Sequence, residues 1–164
     1  MSFTYIDKLI QNCGLAKVAK SSKKFILNQE FILDQEFILG NLSQLDGIST
    51  AIYIIEEING NKEATFDNFK KYKDQKERKC AKLNSPSSVL YVGSSTTGVK
   101  KRIKQHLGEG YKGTYALHLK KWFNGNCKVT VKIYDEPIEV LQIIEDNLSY
   151  QLKPAFGKQG GNNK

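Results

Sequence analysis

Hydrophobic and polar positions along the chain fall into patterns that name most of its elements. Residues 50–57 (Thr-Ala-Ile-Tyr-Ile-Ile-Glu-Glu) and 88–94 (Ser-Val-Leu-Tyr-Val-Gly-Ser) are short apolar runs rich in β-branched and aromatic side chains, and read as strands. Residues 127–135 alternate polar and apolar, as a half-buried strand does. In residues 97–107, Val99, Ile103 and Leu107 recur at i, i+4 and i+8 and mark the buried stripe of a helix. Pro137 opens a last helix that runs to about Leu152 and is closed by Lys153-Pro154. Residues 3–20 read as a short amphipathic helix, with Tyr5, Ile6, Leu9, Ile10 and Cys13 at helical spacing. Residues 66–83 read as a lysine-rich helix ended by Asn84-Ser85-Pro86. Residues 114–123 read as another helix, after a bend at Gly108, Gly110 and Gly113. Gly40 to Gly47 is a polar turn.

One segment resists assignment. Phe25-Ile-Leu-Asn-Gln-Glu is followed by Phe31-Ile-Leu-Asp-Gln-Glu and Phe37-Ile-Leu-Gly, a repeat of period six. Six residues turn a helix by about 600°, so the phenylalanines would not share a helical face. A strand keeps them on one face, but Gln and Glu are poor strand formers. Packing or dimerisation is the simplest role for such a segment. The expected fold is α+β, with three strands and helices around them over residues 48–157. Residues 1–47 form an N-terminal extension, and 158–164 a Gly- and Asn-rich tail.

Charge narrows the range of partners. The 164 residues carry a net charge of +8, and the excess is local. Residues 58–87 hold 8 basic and 4 acidic side chains, and residues 99–121 hold 7 and 1. The excess favours an anionic partner, nucleic acid or an anionic membrane, without choosing between them, and its clustering in two segments is what a nucleic-acid footprint requires. Cys13, Cys80 and Cys127 lack metal-ligand spacing, which argues against a zinc site and for a reducing compartment. With no secretory h-region or membrane-length apolar run in this sequence, a cytoplasmic location is expected.

Three features carry chemistry. On the last helix Ile138, Leu141, Leu148 and Leu152 form an apolar stripe whose missing position is Glu145. A carboxylate there is costly unless it is paired, bound to a cation, or able to reach water from the helix edge. On the helix of residues 97–107, Arg102 and His106 lie four apart along the edge of the stripe. An arginine so placed can grip a phosphate with two parallel bonds, and a histidine can move a proton near neutral pH. A basic surface helix would look the same. Tyr53 and Tyr91 each sit inside an apolar strand, where tyrosines are usually core residues with a hydroxyl at the rim.

Taken in order, Ala51-Ile52-Tyr53, Tyr91-Val92-Gly93, Arg102 with His106, and Glu145 resemble the marks of GIY-YIG nucleases. The resemblance spans about residues 48–157 and rests on the ordered set. It implies a core with a three-stranded antiparallel sheet, and a metal-dependent endonuclease that hydrolyses phosphodiester bonds of double-stranded DNA. Glu145 would be the sole protein ligand of one Mg²⁺ or Mn²⁺. Tyr53 would contact the attacking water, Tyr91 would line the site, and Arg102 would stabilise charge on the phosphate. His106 matches a histidine that could take the proton from Tyr53 or from water. Lys70, Lys71, Lys73 and Arg78 in the insert, Lys100, Lys101 and Lys104 on the following helix, and His118 are the candidate DNA contacts. In a chain of this size, without a second nuclease, zinc or helicase module, the role most expected is a sequence-specific type II restriction enzyme, working as a homodimer on a palindrome or cutting strands in turn. Homing, mobile-element and repair nucleases of the same fold, and a DNA-binding module without catalysis, are the alternatives.

The chain departs from the family at four places. Ala51 and Val92 replace Gly and Ile, both small changes. Tyr53 and Tyr91 are 38 positions apart, the difference being the lysine-rich insert of residues 58–87. Many members carry an asparagine shortly after the final proline, where this chain has Gly157.

Overall fold

A computed structural model of the chain describes residues 4–30 and 42–159. In it, helix α1 (Thr4–Val18) precedes strand β1 (Lys23–Glu30). Then follow β2 (Ala51–Ile58), α2 (Lys62–Asp74), β3 (Val89–Ser95) and α3 (Val99–Leu107), and finally β4 (Asn126–Ile133) and α4 (Ile138–Leu152). The fold is α+β, with one antiparallel sheet ordered β1-β4-β2-β3.

The sheet has four strands, where three were expected. The added strand is β1, which pairs with β4 over its whole length from Lys23↔Ile133 to Glu30↔Asn126. The first unit of the six-residue repeat is therefore a strand. Leu27 points into the core while Ile26 remains half exposed, the alternation a strand on one edge of a sheet allows. The units that begin at Phe31 and Phe37 lie outside the described residues.

The two faces of the sheet are covered differently. On one face α4 packs Val140, Leu141 and Ile144 against Ile52, and the end of α1 leans on the same cluster through Ala16, with Ala19 just beyond the helix. The larger apolar side chains of α1, including Tyr5, Ile6, Leu9 and Ile10, stay exposed. The opposite face carries the main core, in which Tyr53, Ile55, Val129 and Val131 meet Ile103 and Leu107 of α3 and Phe69 of α2.

Two expected helices are corrected. The helix expected over 66–83 starts earlier and is shorter. Asn61 caps it by accepting the Ala64 N–H at 3.0 Å, and Lys76 leaves the helical path with φ of 56°. Beyond Asp74 the insert runs irregularly and pairs with two distant turns, at Cys80↔Ala116 and Leu83↔Phe156. The segment 114–123 is not an α-helix but holds a single 3₁₀ turn, Leu119–Lys121. His118 enters that turn in the left-handed conformation, with φ of 52°. Among the described residues no helix is long and apolar enough to cross a membrane.

Candidate active site

Strands β2 and β3 run antiparallel with Tyr53 opposite Gly93. The period of two puts Tyr53 and Tyr91 on the face toward α3, and their rings stack 6.1 Å apart and within 6° of parallel. Gly93 makes this possible. A Cβ there would lie 2.6 Å from the Tyr53 hydroxyl and 2.8 Å from the Tyr91 ring, so only glycine leaves room for both.

Helix α3 brings Arg102 and His106 to these tyrosines. His106 is wholly buried, and its Nε2 lies 3.0 Å from the Tyr53 hydroxyl. Its Nδ1 accepts the backbone N–H of Leu117 at 3.3 Å. A backbone N–H can only donate, so Nδ1 carries no proton. Burial, with the nearby Arg102 charge, pushes the imidazole well below its ordinary pKa, so the ring is neutral. The single ring proton then sits on Nε2, which donates to the Tyr53 oxygen. Burial, reinforced by the neighbouring Tyr91, raises the Tyr53 hydroxyl far above its ordinary range, and Tyr53 stays a phenol. The expected transfer of a proton from Tyr53 to His106 has no vacant lone pair to receive it.

Arg102 is held from three sides. One Nη donates to Gln105 Oε1 at 2.9 Å, and the other reaches the Tyr115 carbonyl at 3.1 Å and the Tyr91 hydroxyl at 3.4 Å. The guanidinium is thus oriented before any ligand arrives.

Glu145 stands apart from this cluster. It is 6% exposed on α4, and its Oε2 accepts the Ser94 hydroxyl at 2.5 Å. Ser94 follows Gly93 and so turns to the α4 face of the sheet. Burial raises the carboxyl pKa, while Ser94 works in the opposite direction. Its negative charge is still felt at both tyrosine hydroxyls, whose ionisation it opposes. Among the described residues no three His, Cys, Asp or Glu side chains gather as a metal cage. One buried carboxylate with a hydroxyl beside it fits a hard cation that keeps most of its ligands as water and phosphate oxygen.

The basic candidates divide by environment. Lys70 and Lys71 on α2 and Lys101 on α3 are exposed, and Lys104 is half-buried. Lys73 donates to the Ala81 carbonyl, Arg78 to the Gly110 carbonyl, and Lys100 pairs with Asp46. His118, expected to reach DNA or the active site, is instead fully enclosed. Its Nε2 lies 2.8 Å from the Lys79 carbonyl and 3.1 Å from that of Thr114, bonds that tie the insert to the loop before it.

Gly157 abuts the cluster. Its φ is 86°, and a Cβ there would fall 2.4 Å from the Tyr91 ring, so a larger residue would displace the tyrosine. Asn84, from the end of the insert, donates to the carbonyls of Pro154 and Gly157 and fixes this turn. Ser94, Gln105 and Asn84 were all missed in the sequence. Position 94 could have been found by counting alternate residues from Tyr91 toward the α4 face, and Gln105 from its spacing of three to Arg102. Asn84 gives no local signal.

Comparison with protein-family models, with curated proteins and with solved structures finds no match for this chain.

Proposed function

We propose that the chain is a divalent-metal-dependent DNA endonuclease of GIY-YIG type that hydrolyses phosphodiester bonds. The observation that carries this reading is convergence. Tyr53, Tyr91, Arg102 and His106, from two strands and a helix, form one contiguous cluster in which Tyr53 and His106 are buried and Tyr91 and Arg102 partly exposed, with Glu145 on the next helix opposing ionisation of both tyrosines. Hydrolysing a phosphodiester needs neutralised phosphate charge and an oriented water, and a carboxylate for a cation, a guanidinium and a tyrosine hydroxyl are groups suited to these tasks.

Glu145, with the Ser94 hydroxyl beside it, would hold one Mg²⁺ or Mn²⁺, which would supply positive charge to the phosphate and the leaving oxygen. Arg102, fixed by Gln105 and Tyr115, presents its remaining donors to the phosphate and stabilises the charge that grows on it during attack. Tyr53 offers its second lone pair to the attacking water, because the first is taken by His106. His106 works as a donor, fixing the phenol oxygen and favouring negative charge on it. Tyr91 stacks beneath Tyr53 and bonds Arg102, so it sets the distance between water and phosphate.

The same reading extends to double-stranded DNA as substrate, a restriction role, action in the cytoplasm and a homodimer on a palindromic site. The test is a supercoiled-plasmid assay with Mg²⁺ on pure protein. Nicking that requires the metal, stops with chelator and is lost in Glu145→Gln is the expected result. If the wild type leaves a broad panel of DNA intact yet binds it as tightly as Glu145→Gln does, the chain is a DNA-binding module and not a nuclease.

A further inference from the structure

Beside the site, a groove of about 620 Å³ opens between the insert and the loop that follows α3. Five basic and two acidic side chains line it, and so do Tyr111 and Tyr115. These tyrosines are 73% and 63% exposed. Large aromatic rings left in water on a wandering loop would mean little, but this loop is tied down. Arg78 donates to the Gly110 carbonyl at 2.9 Å, the Lys79 N–H to the Lys112 carbonyl at 2.8 Å, and the Ala81 N–H to the Ala116 carbonyl at 3.1 Å. The Tyr111 ring rests over Gly113, where a Cβ would come within 2.4 Å of it. Lys79 sets its ammonium 5.4 Å from the centre of the Tyr115 ring. The Tyr115 carbonyl is also the group that holds Arg102, so the groove begins one residue from the proposed phosphate grip.

We propose that this groove takes an unpaired nucleotide of a DNA strand, its base against Tyr111 and Tyr115 and its backbone along Lys76, Lys79 and Lys112. Exposed rings held at fixed positions inside a cationic channel are the arrangement that binds single-stranded nucleic acid. Every base has a face to stack, and the lysines follow the phosphates. A paired duplex buries its base faces and can use only the charge. That the strand bound here is the one being cut rests on the nuclease reading above. That the groove binds unpaired DNA does not.

The two are separated by measuring binding in EDTA, where no cleavage can occur. Three fluorescent probes of one sequence are compared: a single strand, a full duplex, and a duplex with a three-nucleotide bulge. Wild type is expected to bind the single strand and the bulge more tightly than the duplex. Tyr111→Ala/Tyr115→Ala should weaken those two about tenfold or more while changing duplex binding less than twofold. Lys76→Ala/Lys79→Ala should weaken all three and lower their salt dependence. The proposal is overturned if the tyrosine variant binds all three probes as wild type does or weakens them equally. It is also overturned if polyglutamate displaces the single strand from wild type and from the tyrosine variant alike, since the groove would then be reading charge alone. Each of these results leaves the nicking assay to judge the nuclease reading independently.

Discussion

The two faces of the sheet at β2 and β3 bury polar groups in opposite ways. Toward α3, Tyr53, His106 and Arg102 are linked to one another, to backbone and to Gln105, so each charge or dipole there has partners. Toward α4, a single carboxylate is enclosed with the Ser94 hydroxyl 2.5 Å away, Gln142 as a further donor and the charge of Lys158 acting on it. The first arrangement orients each group through its neighbours, whereas in the second burial still outweighs the groups that favour the carboxylate, so its pKa stays raised. A network of this kind orients groups, while a carboxylate that burial disfavours gains most from a cation.

The sharpest way to break this contrast is Glu145→Gln. Cleavage should fall by at least about a hundredfold, as when a group that stabilises transition-state charge is removed. Stability should move the other way. The folded-state pKa of Glu145 is raised by burial, so its ionised form is disfavoured in the fold. The folded chain therefore binds more protons than the unfolded one, and this contribution to stability is lost as pH rises through the folded pKa. Glu145→Gln should melt no lower than wild type at neutral pH, and any advantage should vanish in acid. A lower melting temperature at neutral pH would show that the carboxylate is structural.

Next in size is His106, whose two substitutions divide its bonds. Glutamine places an amide near the Nε2 position and keeps a donor toward Tyr53; asparagine can keep only the bond to Leu117. Single-turnover cleavage by His106→Gln should stay within about tenfold of wild type, while His106→Asn loses more. A general base would instead cost about 10²–10⁴-fold in both variants.

The pH dependence of folding gives a smaller effect. Burial lowers the pKa of both His106 and His118 below the ordinary 6.5. The unfolded chain then binds more protons than the folded one, so stability is full above about pH 6.5 and is lost as pH falls toward the folded pKa values. Melting curves across pH 4.5–8 should flatten in His106→Gln relative to wild type. The smallest change is expected from Lys70→Ala/Lys71→Ala on the exposed side of α2, which should reduce the salt slope of duplex binding by about 0.9 for each phosphate no longer neutralised. An unchanged slope removes α2 from the DNA interface.

What could be read in the sequence follows from how local its cause is. β4, α3 and α4 were legible because their periods are set by one face against the core, and β2 and β3 because they are apolar runs buried on both faces. β1 was not, since a period of six satisfies a strand geometrically while its Gln and Glu argue against one, and only the partner β4 decides. The 114–123 segment has helical composition, but its backbone turns left-handed at His118, whose ring bonds the carbonyls of Lys79 and Thr114, and the first of these lies 39 positions away. At the site, Tyr53, Tyr91, Arg102 and His106 could be named because they sit at fixed offsets on regular elements. Their proton arrangement could not, because it depends on the Leu117 N–H, a group every residue but proline carries.

The pairing of β1 with β4 also bears on how the chain acquires its fold. The Ser22 hydroxyl bonds to a carbonyl 111 positions later, and among the described residues β1 meets no other strand. Closing such a long loop comes late, since its entropy must be met before the strands pair. During synthesis the β1 segment emerges well before its partner, with Phe25, Ile26 and Leu27 available to other chains. A ribosome-bound chain stalled before residue 126 should be the species most prone to aggregate and most dependent on a chaperone.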